Sequence, residues 1–183
     1  MVPASENLNN HELTIQHSLD GFSYVLVPAA FYQEDKKEKY LDFLGIKKDG
    51  YVVCADYIEL ADMYNVYYTS GKGHRHPTTA LLESLIKENL ERTDDNRIYL
   101  NVNDQHFEIF VLKEAKLLFY NTFRFKTKED FLYFLLFTME QLHLDTETVP
   151  VYFMGMIEED SQIVELATRY VRNVRFKKDI KCE

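Results

Sequence analysis

"IYLNVNDQHFEIFVLKEAKLLFYNTFRF" (98–125) runs directly into "KTKEDFLYFLLFTMEQLHLDTETVPVYFMGMIEEDSQIVELATRYVRNVRF" (126–176). Ile98, Leu100 and Val102 alternate with Tyr99, Asn101 and Asn103, the period of two expected of a strand. Asp104 and Gln105 turn the chain, and Phe107, Ile109 and Val111 share one face of a second strand. After "KEAK" (113–116) comes "LLFYNTFRF" (117–125). Strands joined this tightly form an antiparallel meander. Thr127, with Asp130 three residues on, reads as a capping box opening a helix over 128–143. Phe131, Leu132, Phe134, Leu135, Leu136 and Met139 occupy much of its circumference, so it is expected to be buried on two sides, between a sheet and a second lobe. "VPVYFMG" (149–155) is a short buried strand, 160–173 a helix and "VRF" (174–176) a last strand. The β-α-β crossovers set these later strands parallel.

The first half echoes that opening more weakly. "LTIQHSLDGFSYVLV" (13–27) aligns with 98–112 at an offset of 85, which matches Leu13, Ile15, Phe22, Tyr24 and Leu26 to Ile98, Leu100, Phe107, Ile109 and Val111. Asp20-Gly21 is its bend, with Gly21 able to take a positive φ. A short helix is expected over 33–46, strands over 51–60 and 65–70, and a loop at "GKGHRHP" (71–77). The helix at 78–92 carries Leu81, Leu82, Leu85, Ile86 and Leu90 in a stripe, with Thr78 or Thr79 as its cap. "TDDN" (93–96) is the boundary between halves. The organisation expected is thus a flexible tail at 1–10, a first lobe with its linking helix at 11–92, and a second lobe at 93–183.

Composition excludes several functions. A formal charge of −9 offers no broad basic face for nucleic acid or an anionic membrane. The basic cluster Arg172, Arg175, Lys177, Lys178 and Lys181 reads as a solvated chain end. The run "FLYFLLFTM" (131–139) is far shorter than the roughly 20 residues of a membrane span. Two cysteines, Cys54 and Cys182, make no disulfide framework, and Cys54 reads as a small buried hydrophobe. With a polar N-terminus, the expectation is a cytoplasmic protein without membrane insertion. Its 13 Tyr and 13 Phe, against no Trp, predict an aromatic core.

Three antiparallel strands followed by α-β-α-β resemble the ribonuclease-H-like unit duplicated in actin, Hsp70 chaperones and sugar kinases. "LTIQHSLDGFSY" (13–24), the stretch "IYLNVNDQHFEIFVLKEAKLLFYNTFRFKTKEDFLYFLLFTMEQLHLD" (98–145) and "VYFMGMIEEDSQIVELATRYVRNVRF" (151–176) are similar to an uncharacterised Bacteroidetes domain-of-unknown-function family of actin-like fold. The resemblance implies a duplicated α/β, actin-like mixed sheet in a bacterial cytoplasm and leaves activity open. Family members run longer, so the first lobe is expected to be abbreviated, with segments shortened or missing near 24–25 and 68–77.

An actin-like ATPase needs a phosphate-holding hairpin turn in each lobe and a Gly-Gly loop after the fourth strand of the second lobe. Ser18, Asp20 and Gly21 supply the first turn. Asn103 and Asp104 supply the second, which lacks a glycine, and Gly155 alone stands between Met154 and Met156. These six residues are the candidate nucleotide site, with ATP and Mg²⁺ as the cofactor they would hold. The set is degenerate. A two-metal nuclease is excluded because neither the first nor the fourth strand of the second lobe carries a central acid. His74 and His76 flank Arg75 in a loop without a third ligand, so no metal site and no catalytic residue is assigned. The expected role is non-catalytic contact with unknown protein partners, self-association included, and Tyr67, Tyr68, Tyr99 and Tyr120 are open to two readings, a contact patch or packed and singly exposed side chains. The alternative is an ATPase or small-molecule kinase.

Overall fold

The computed structural model describes residues 23–42, 50–69, 75–92 and 96–177 and the strand 14–17; of 14–17 and Ser23 only the backbone is considered. In the first half, β1 (Thr14–His17) and β2 (Ser23–Pro28) form an antiparallel hairpin. A short 3₁₀ turn leads into α1 (Lys37–Asp42), and β3 (Val52–Ile58) and β4 (Met63–Thr69) follow. The four strands make an antiparallel sheet ordered β1-β2-β4-β3. The helix α2 (Pro77–Asn89) then crosses to the second half.

There β5 (Asn96–Val102), β6 (His106–Lys113) and β7 (Lys116–Arg124) form the meander read from the alternation. The helix α3 (Lys128–Gln141), the strand β8 (Val151–Gly155), the helix α4 (Gln162–Ala167) and β9 (Val174–Phe176) complete it. The sheet order is β7-β6-β5-β8-β9, antiparallel among the first three and parallel from β5 through β8 to β9. The helix expected to run to 173 ends at Ala167 and continues as turns, with Tyr170 N–H donating to Ala167 O (3.0 Å).

Three apolar layers hold these elements. On the outer face of the second sheet, Ile98, Leu100, Phe107, Ile109 and Val111 meet Phe131 and Leu135 of α3 and Val164 of α4. The Phe107 and Phe131 rings stand 4.2 Å apart between centroids. On the outer face of the first sheet, Val25, Val27, Val66 and Tyr68 are covered by Leu41 of α1. Between the sheets lies α2, whose Leu82, Leu85 and Ile86 touch Tyr24, Leu26 and Tyr67 on one side and Tyr99, Phe110 and Leu112 on the other.

This layering corrects two expectations. The helix packed between sheet and second lobe is α2 rather than α3. Tyr133 is 61% exposed on α3, and its ring stacks on that of the exposed Phe137. The offset of 85 also equates Tyr24 and Leu26, which face α2, with Ile109 and Val111, which face away from it. A shift of one residue exchanges the two faces of a strand, so the apolar match crosses from the inner layer to the outer.

Local signals behaved better. The Thr127 Oγ1 accepts from Asp130 N–H (3.1 Å), and Asp130 Oδ2 accepts from Thr127 N–H (3.1 Å), closing the capping box. Thr127→Ala should cost about 1 kcal/mol of stability, read as a lowered urea midpoint at unchanged m-value. The cap of α2 is His76, not Thr78 or Thr79: its Nδ1 accepts from Thr78 N–H (3.3 Å), and Pro77 takes the first helical position. The basic cluster is not wholly solvated, since Lys177 pairs with Glu88 of α2 and Arg175 lies over the Tyr152 ring.

Candidate functional site

Beside the β5–β6 turn, a cleft of about 410 Å³ opens between the two sheets at the N-terminal end of α2. Strand register builds its floor. Asn101, Glu108 and Thr122 lie opposite one another across β5, β6 and β7. Alternation along β6 puts Glu108 on the same face as Phe110 and Leu112, so its carboxylate is buried.

Four groups hydrogen-bond that carboxylate. The Oε1 accepts from the hydroxyls of Tyr24 (2.8 Å), Thr78 (2.7 Å) and Tyr120 (2.6 Å), and Oε2 accepts from Asn101 Nδ2 (2.7 Å). The network therefore joins β2, α2, β5, β6 and β7 at one point. Burial pushes the Glu108 carboxyl above the ordinary glutamate range, while the Thr78 and Asn101 bonds and nearby His106 act against it.

A second carboxylate anchors the start of α2. Asp56 Oδ2 accepts from His76 N–H (2.8 Å) and Thr79 Oγ1 (3.1 Å), and Asp56 Oδ1 from the Tyr67 hydroxyl (3.1 Å). The His76 ring is flanked by Tyr24 and Tyr67, with centroids 4.6 and 5.0 Å away. Burial pulls its pKa down to about 4, so it is a neutral aromatic wall at pH 7. Arg75 also lines the cleft but forks onto Glu83, with nitrogen–oxygen distances of 2.7 and 2.6 Å.

Of the six residues proposed from sequence, Ser18, Asp20 and Gly21 lie outside the described residues, as does His74. Asn103 lines the cleft; Asp104 is exposed at the turn and is not part of the lining. Gly155 ends β8 at a φ of 84°, paired with Val102. A Cβ there would stand 2.4 Å from the Val102 carbonyl oxygen and 2.5 Å from Asn101 Oδ1. The glycine thus makes room for Asn101, which in turn holds Glu108. Backbone donors nearby are engaged within the chain: Asn103 N–H on His106 O (2.8 Å) and Met156 N–H on Val102 O (2.7 Å).

Of the two readings open for Tyr67, Tyr68, Tyr99 and Tyr120, the packed one holds and they form no surface patch. All are at least 94% buried, because each packs into a layer between or beneath the sheets. Cys54 is only partly buried. Sequence reading passed over Glu108, yet "FEIF" (107–110) held a signal: one carboxylate within a strand apolar on both faces. Among the described residues, no three His, Cys, Asp or Glu side chains gather as metal ligands do, and no helix is long and apolar enough to cross a membrane.

An antiparallel three-stranded meander continued by parallel strands, set against a smaller sheet across a cleft, is the actin-like ATPase fold. The chain belongs to the family described as "Protein of unknown function (DUF3822)", whose model matches residues 73–174. A Bacteroides thetaiotaomicron protein with actin-like ATPase fold and unknown function superposes with a TM-score of 0.74 at 16% identity, over 84% of this chain and 64% of that one. A chain of the PilM–PilN type IV pilus biogenesis complex superposes at 0.54 and 12% identity, over 85% of this chain and 65% of its own length. The chain therefore spans under two thirds of either neighbour. No curated protein matches it.

Proposed function

We propose that this chain is a non-catalytic contact module, an actin-like fold that works in the cytoplasm by binding another protein across its cleft. One observation carries the reading: the cleft floor beside the β5–β6 turn is a buried carboxyl group already engaged by hydrogen bonds from within the chain. The described lining offers a triphosphate no free lysine or arginine, since Arg75, the one such residue there, is already forked onto Glu83. The PilM–PilN complex supports the reading by analogy of fold alone, since that neighbour belongs to an assembly of proteins.

The competing reading is a nucleotide-dependent enzyme using Ser18, Asp20, Gly21, Asn103, Asp104 and Gly155, and the lining position of Asn103 favours it. A melting curve with saturating ATP and Mg²⁺ separates the two. Under the contact reading the midpoint stays where it is. A rise of several degrees, the linkage signature of a bound ligand, that Asp20→Ala removes would establish the enzyme reading instead.

A further inference from the structure

The cleft has the make-up of a site for a small organic cation. Its floor is a buried carboxylate that none of the described lysines or arginines pairs with. Its walls include the Tyr24, His76 and Tyr67 rings, the two tyrosine centroids lying 4.6 and 5.0 Å from that of the histidine. Aromatic faces and a carboxylate together are what a desolvated cation requires. The volume of about 410 Å³ lies within the range of small-ligand sites, roughly 300–1,000 Å³. A chain charge of −9 would draw cations toward it.

The carboxylate also discriminates between cations. Oε1 is filled by three hydroxyl donors, whereas Oε2 accepts only from Asn101 among the described residues. A guanidinium fork needs both oxygens, but a compact ammonium needs one. We propose that the cleft accepts the primary ammonium of a lysine side chain carried by the protein partner, with Glu108 Oε2 as its counter-ion. The proposal rests on the contact reading above and names the chemistry its partner presents.

The test is an amide NMR titration of the full chain with N-acetyl-lysine methylamide, its Nε-acetylated form, N-acetyl-arginine methylamide, spermidine and ATP–Mg²⁺. The lysine probe is expected to shift amides at 76–78, 101–103 and 108. It should bind at least about tenfold more tightly than the acetylated probe, and more tightly than the arginine probe. Glu108→Gln should abolish that preference. Should Glu108→Gln not fold, the charged and acetylated probes on the wild-type chain still decide. Equal binding of those two, or shifts confined to another face, overturns the proposal. Tighter binding of spermidine than of the lysine probe also overturns it, by making the source a free polyamine. A flat response to every probe removes the ammonium site but leaves the contact reading standing, whereas saturable ATP–Mg²⁺ binding in the cleft removes both.

Discussion

Glu108→Ala should lower unfolding free energy by about 3–5 kcal/mol, since each buried donor left without a partner costs about 1–3 kcal/mol and the chain relaxes to satisfy some of them. The substitution strands the hydroxyls of Tyr24, Thr78 and Tyr120 and the amide of Asn101 where water does not reach them readily. Glu108→Gln keeps the side-chain shape and an acceptor oxygen for those hydroxyls, so it should lose much less than Ala. Urea unfolding of both variants checks the pair, and equal losses for Ala and Gln would show that the charge, not the hydrogen-bonded shape, holds the sheets. The same residue gives a pH signature. Its carboxyl is raised on folding, so its stabilising contribution is fully present below the unfolded value near 4.5 and is lost as pH rises through the folded value. Glu108→Gln should lack that loss and gain on the wild type from acid toward neutral pH. His76 acts oppositely, because its folded pKa of about 4 lies below 6.5. Its contribution is present above 6.5 and lost as pH falls toward 4, equally in both proteins.

Gly155→Ala is expected to cost about 2–4 kcal/mol, combining left-handed backbone strain with overpacking. The added methyl would meet the Val102 carbonyl oxygen at 2.4 Å, and backbone cannot move aside as a side-chain tip can. The Asn101 side chain would be displaced instead, carrying its Nδ2 off Glu108. The effect should therefore be strongly non-additive with Glu108→Gln in a double-mutant cycle. Additive losses would show that Gly155 serves only the end of β8.

The second half was legible because each of its signals is local. Alternation at 98–102, the Asp104-Gln105 turn and the Thr127 box all act within a few residues, and the crossover rule then orients β8 and β9. The first half was read correctly as elements, but its echo was placed on the wrong face. Alternation says which residues share a side, whereas only a packed helix says which side that is. α1 and α2 cover opposite faces of the first sheet, and nothing in residues 23–28 distinguishes the two. The tyrosines stayed open between core and surface for a related reason: a phenol is as much at home in a core as on a surface, provided its hydroxyl finds an acceptor. Tyr120 finds Glu108 and Tyr99 finds Asn89, contacts 12 and 10 residues apart in sequence. The charged centre of the cleft was invisible for the same cause, since its five members come from five elements.

α2 stands in one core with both sheets, so the chain divides by sequence more readily than it divides by physics. Leu82, Leu85 and Ile86 serve two masters at once. Severing the backbone near 93–95 would leave one fragment with a greasy helix and no second roof, and the other with Tyr99, Phe110 and Leu112 open to water. The pieces are thus better understood as halves of one clasp than as tenants sharing a tether.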